Sequence, residues 1–223
     1  IYFEYGDYLT KKGRVDEAAD AYRAGVAKGN DQVLMSINVD KLVNYDWDHD
    51  KKDEALAIAQ KAAQVYSLGG LNTYLLLLDK MGNLQEAEKQ GIAIRDRYND
   101  SAELAQLYAR HPDVFHGQYE ILRKQTFPQG LTPVTLASFQ GPPQTGTLIK
   151  TSSAVLDAAD MHQGDVIVAL EGSRVDNMAQ YAFLRARSQA PTLHLIVWQN
   201  DHSAEVTTSP PNHRFGVDLD DYH

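Results

Sequence analysis

Near the end of the chain the run NHRFGVDL (212–219) sets a glycine between two apolar residues directly behind a basic one. Glycine adopts backbone angles that turn successive N–H groups toward one point, and such a nest holds an anion. The amides of Phe215, Gly216 and Val217 would form the nest and Arg214 would add positive charge beside it. The chemistry on offer is capture of a carboxylate or phosphate, with no bond made or broken. By themselves the same letters also suit a tight turn into a last strand, since a lone glycine is common in turns.

Residues for bond-making chemistry do not assemble in the sequence. There is no Gly-x-Ser-x-Gly elbow, Walker phosphate loop, dinucleotide glycine signature or His-Glu-x-x-His zinc motif. Cysteine is absent, which removes disulfides, thiolate catalysis and Cys-ligated zinc. Asp46, Asp48 and Asp50 in DWDHD alternate like the start of a calcium loop, but Lys51 replaces the required glycine and Ala57 the closing glutamate. That stretch reads as a solvated acidic loop. His49, His111 and His116 lack ligand spacing and read as surface residues. The expectation is therefore a protein that is not an enzyme, with no cofactor and no metal.

The composition sets the frame. Of the 223 residues 43% are apolar and 23% charged, the balance of a globular protein, and the length allows one large domain or two ordinary ones. A net charge of −9 repels phosphate backbones and anionic lipid, so nucleic acid is not expected as a partner. No apolar run approaches the ~18 residues that cross a bilayer, so no membrane insertion is expected. The chain opens on Ile1 inside a helical pattern, which reads as a mature or excised form. A Cys-free protein fits several compartments, with bacterial envelope or secretion the expectation over cytoplasm.

The elements that would position the loop fall into two halves. In the first, RVDEA (14–18), KKDEA (51–55) and NLQEA (83–87) repeat, with Ala18, Ala55 and Ala87 separated by 37 and 32 residues. Glycines at 13 and 82 precede two of these phrases; the middle copy, NYDWDHDKKDEA, lacks one and implies a longer first helix or an enlarged loop. SAELAQLYARH (101–111) and PDVFHGQYEILRKQ (112–125) read as a last helical pair, with Pro112 at a helix start. This half resembles a tetratricopeptide array, whose period is about 34 residues. Gly6, Leu9, Gly13, Ala18, Tyr22 and Gly25, then Leu75, Leu78, Gly82, Ala87, Gly91 and Ile94, stand where that family packs its helices. The resemblance implies a helical solenoid over 1–126 that binds protein partners or a second copy of itself. The family's Lys/Asn carboxylate clamp is not carried over, because its positions hold Phe3 and Asp7.

QTFPQGLTP (125–133) breaks the helical period and reads as a linker. Beyond it VTLASF (134–139) and GTLIKT (146–151) read as a hairpin, DVIVAL (165–170) as a buried strand, and TLHLIVWQ (192–199) with AEVTTS (204–209) as two more. NMAQYAFLRARSQA (177–190) is the one clear helix here. The fold class expected is α + β in two domains: a helical-repeat domain at 1–126 and a small β-rich domain at 131–223.

One stretch of this half is specific. Ser153-Ala154, Gly164-Asp165, the strand 166–170, Gly172 and Val175 leading into a helix resemble the central part of a PDZ domain, with 192–205 matching its closing strands. The likeness spans about 133–223; Ala159-Asp160-Met161 departs modestly from the family's Ala-Gly-Leu. It implies a groove that takes the free C-terminus of a partner chain as an added strand, its carboxylate in an apolar-Gly-apolar loop. Arg214, Phe215, Gly216 and Val217 would be that loop, placed at the end of the domain as in a circular permutation. The rival loop is QGLTPVTL (129–136), weakened by Pro133, which has no N–H. The groove would be lined by Ala179, with Met178 or Gln180 if the alignment slips by one, then Ala182, Phe183 and Ala186, facing Val217 and Leu219. No histidine stands at the helix start, so apolar ligand residues are expected at the last position and two before it. The functional expectation is a non-catalytic interaction adaptor whose groove binds partner C-termini or extended segments. The alternatives are the substrate-recognition part of a protease whose catalytic domain lies outside this chain, and a scaffold that only self-associates.

Overall fold

The repeated phrases become structure at the turns. In the structure, a computed structural model that describes residues 1–210 and 215–223, the first helices are α1 (Tyr2–Lys11), α2 (Val15–Lys28), α3 (Gln32–Ser36), α4 (Asp40–Asp48), α5 (Lys52–Ala63), α6 (Leu68–Lys80) and α7 (Leu84–Tyr98). Three of the links, α1–α2, α4–α5 and α6–α7, close in the same way. Arg14 N–H donates to the Leu9 carbonyl at 3.0 Å, Lys51 to Asp46 at 2.8 Å and Asn83 to Leu78 at 2.9 Å. Each such bond needs a left-handed residue before its donor. Gly13 and Gly82 supply it at φ 73° each, and Asp50 supplies it in the middle copy at φ 59°.

The middle copy therefore has an ordinary turn, and neither its first helix nor that turn is enlarged. Its extra residues lie ahead of α4, in the five-residue α3, where Asp31 Oδ1 accepts the Leu34 N–H at 2.9 Å. Nor is DWDHD a solvated acidic loop: Asp46 lies in α4, 1% exposed, with Arg23 Nη2 at 2.8 Å from its Oδ1. Small residues set the helix spacing. Ala18, Ala55 and Ala87 are at most 1% exposed, and a Cβ at Gly6 would stand 2.4 Å from the Tyr22 ring.

The chain forms two compact units, Ile1–Leu104 and Ala105–His223, so the division falls within α8 (Ala102–Arg110). The expected boundary at 126–131 lies inside the second unit. The reason is packing: Ala109, Tyr119 and Leu122, together with Phe127 just beyond α9 (His116–Thr126), join the core of the β-rich part. Pro112 does not open α9; it sits in the preceding turn, where the His111 carbonyl accepts from Val114 and Phe115.

The second unit is built on an antiparallel sheet of β1 (Gly146–Ile149), β2 (Val166–Leu170), β3 (Ser173–Arg174), β4 (Leu193–Gln199), β5 (His202–Thr208) and β6 (Leu219–Tyr222), with the short helix α10 (Ala154–Asp157) and the longer α11 (Met178–Arg187). The order is β5-β4-β2-β1-β6, with β3 paired to β2. The unbroken apolar run of β2 follows from cover on both faces. Ile167 and Leu170 pack with Tyr181 and Leu184 of α11, while Val166 and Val168 pack with Ile196, Phe139 and Trp198 on the other side. The β4–β5 link is a two-residue turn with Asn200 and Asp201 both left-handed, the geometry that matches strand twist.

The expected hairpin of 134–139 with 146–151 does not form. Leu136–Ser138 is a single 3-10 turn, closed by reciprocal bonds between Thr135 and Ser138. β1 pairs instead with β2 and with β6.

Candidate functional site: a glycine loop at an open sheet edge

The site is best built from β1 outward. Ile149 turns its N–H and carbonyl toward the β2 side, to the Asp165 carbonyl and the Gly164 N–H, each at 2.9 Å. Its neighbours along the strand, Leu148 and Lys150, must then face β6, and Lys150 N–H donates to the Asp218 carbonyl at 2.9 Å. Antiparallel strands alternate, so Asp218 and Asp220 face β1, while the backbone groups of Leu219 and Asp221 point away from the sheet. β6 is the last strand of the sheet on this side, and this is its free edge.

Immediately before that edge lies the glycine loop. Gly216 has φ 67°, a conformation that disfavours any side chain. The Phe215 side chain is 3% exposed and anchors the loop in the core. The Phe215 carbonyl accepts the Ser153 hydroxyl at 2.7 Å, and the same oxygen of Ser153 accepts the Leu156 N–H at 3.3 Å as the cap of α10. Thr151 Oγ1 accepts the Asp218 N–H at 2.9 Å. Among the described residues the N–H groups of Phe215, Gly216 and Val217 donate to nothing. The loop is thus held by its carbonyl, its buried ring and its exit strand, with its amides left over. Arg214, expected to add charge here, lies outside the described residues.

The rival loop at 129–136 is differently placed. Gly130 N–H donates to the Phe127 carbonyl, Val134 N–H to the Gly172 carbonyl and Thr135 N–H to Ser138 Oγ. Three of that segment's seven N–H groups are thus spent on the fold, and Pro133 carries none.

Helix α11 lies over the same face of the sheet as Leu219. Asn177 Oδ1 accepts the Gln180 N–H at 2.9 Å, and Gln180 Oε1 accepts the Asp176 N–H at 2.8 Å, so its first turn is capped from both sides. The first helical N–H, of Met178, goes to Asp221 Oδ1 on β6 at 2.6 Å. Of the expected groove residues, Met178 is 39% exposed, Ala179 is exposed and Ala182 half-buried. Phe183 is not on an open wall: it is 4% exposed, with ring centroids 5.5 Å from Tyr119 and 5.6 Å from Phe127. Ala186 is likewise buried. Helix α9 covers the Phe183 part of the expected wall and leaves Met178, Ala179 and Ala182 accessible.

Three residues of the neighbourhood escaped sequence reasoning. Ser153 entered only through the PDZ likeness, and neither its cap of α10 nor its bond to Phe215 was read from the sequence. Asp221 had no local signal. Arg185 lies with its guanidinium 5.6 Å from the Tyr181 ring and donates to Gln106 Oε1 at 3.3 Å. Burial pushes the Tyr181 hydroxyl up to about 12, against the opposing charge of Arg185 beside it.

Comparison of the chain with protein-family models, with curated proteins and with solved structures finds no match. Fold and site place it in a broad class: an α + β protein of two compact units, with an antiparallel sheet that ends in β5 on one side and β6 on the other among the described residues. No helix among the described residues is long and apolar enough to cross a membrane.

Proposed function

We propose that this chain is a non-catalytic interaction adaptor whose second unit captures the free C-terminus of a partner protein. The observation that carries the reading is the set of amides at Phe215–Val217 that donate to nothing among the described residues, at the head of the sheet's last described strand on that side. A terminal carboxylate accepts from those amides, and the partner's backbone continues as a strand against Leu219. Met178 and Ala182 on α11 and Val217 with Leu219 on the other side offer apolar contact to the ligand's side chains. The resemblance of 133–223 to PDZ domains supports the same reading, as an analogy of fold. The first unit, with its resemblance to tetratricopeptide arrays, serves as the surface for a second protein or a second copy of the chain.

Burying one apolar ligand side chain is worth roughly 1.5–3 kcal/mol before ordering costs. Two such contacts place short peptides at micromolar affinity or weaker, on the scale where 1 μM corresponds to about 8 kcal/mol. A library of peptides with random free C-termini tests the reading. Apolar residues at the last position and two before it are the expected selection. A strict requirement for Ser or Thr two before the end would contradict the assignment of the α11 wall.

A further inference from the structure

The open edge of β6 is short, because two side chains close its far end. Of the two residues whose backbone faces outward by the alternation of the ladder, Leu219 has no strand beyond it among the described residues. The Asp221 N–H donates to the Asp220 carboxylate at 2.9 Å. Asp221 is also paired across the ladder with Thr147, which shares its face of the sheet with Ile149, on the side where α11 packs. From there the Asp221 carboxylate reaches the Met178 N–H at the start of α11. An added strand would have to pass between β6 and α11, and at this point a side chain joins the two.

We propose that Asp221 is a specificity-determining latch that limits the ligand to a free C-terminal tripeptide. The inference rests on the carboxylate-capture reading above and goes beyond it by setting where recognition stops. A ligand strand runs antiparallel to β6 with its carboxylate at Phe215–Val217. Its next outward-facing backbone pair, two residues back, meets Leu219. The following pair would need Asp221, whose N–H is engaged by Asp220 and whose side chain spans the gap. The helix-end N–H that a ligand side chain would otherwise meet is occupied as well, and an acidic group near a helix N-terminus is a favourable arrangement that the ligand would have to displace. Residues upstream of the terminal three therefore leave the groove, and an internal segment of a protein, which must continue in both directions, is excluded.

The test is a titration of the full chain with peptides of one C-terminal sequence and increasing length, of three, five and eight residues, each with a free carboxylate. In the wild type the three affinities are expected to agree within about twofold. Asp221→Ala, and separately Asp220→Ala, open the edge; in Asp221→Ala the eight-residue peptide is expected to gain about tenfold over the three-residue one, the worth of one or two net hydrogen bonds. Asp221→Asn keeps an acceptor for the Met178 N–H and is expected to fall between. The wild-type series decides the matter even where Asp221→Ala fails to fold. Affinity that climbs more than about fivefold with length in the wild type would overturn the latch while leaving carboxylate capture in place. If no free-carboxylate peptide of any length binds, carboxylate capture itself fails and takes the latch with it.

Discussion

Gly216 is the residue on which the proposed chemistry turns. At φ 67° it holds the loop in a region costing other residues roughly 1–2 kcal/mol, although a Cβ there would meet nothing within 4 Å. Space is therefore free and only the backbone angle is at stake. Gly216→Val pushes the backbone toward extended angles and turns the amides apart. The expected outcome is loss of peptide binding with an unfolding free energy lowered by no more than about 2 kcal/mol. Equal binding by wild type and variant, measured by titration, would remove the loop from the site. The turn at Gly216 was legible in the sequence because a positive φ is a local feature that glycine serves. Phe183 was misjudged because which side of a helix faces ligand depends on what else covers it, and α9 comes from some 60 residues upstream.

Among elements, the three equivalent turns show how a repeat persists when its letters change. Gly13 and Gly82 share φ 73°, and Asp50 is drawn to 59° by the same hydrogen bond between the flanking residues. The non-glycine residue carries a conformational cost that the other two turns avoid. Asp50→Gly is expected to raise stability by about 1 kcal/mol, since the Asp50–Lys52 ion pair it removes is exposed and worth little. Chemical denaturation of the two proteins measures it, and a destabilised variant would show that Asp50 does more than bend the chain. The missing glycine had pointed to an altered turn, because sequence reports preference and not the tertiary contacts that override it. The segment 134–139 failed for a related reason. Its β-branched, alternating letters suit a strand, but the side chains of Thr135 and Ser138 bond to nearby backbone and wind it into a turn. The strands at β2, β4 and β5 were legible from buried runs and turn signals, and β6 from its position after the glycine loop.

At the scale of the whole molecule, the division at 104–105 changes what counts as the binding unit. Proline and glycine at 128–133 mark the end of a helix, and they were read as a linker; the contacts of Phe127, 5% exposed, make them part of a packed unit instead. Phe127→Ala is expected to cost about 3–5 kcal/mol in the second unit. The two tryptophans, Trp47 and Trp198, lie one in each unit and report on them separately after single replacement by Phe. The midpoint seen by Trp198 should fall while that seen by Trp47 holds; equal shifts would mean that the chain unfolds as one. The proposed ligand of the second unit is a terminal carboxylate. It is tested most directly by calorimetric titration of the intact chain with one apolar-ended peptide, made once with a free C-terminus and once as the amide. Charge-assisted bonds to backbone N–H are worth about 1.5–3 kcal/mol each, so the amide should bind at least about tenfold more weakly. Equal affinity for the two forms would contradict it.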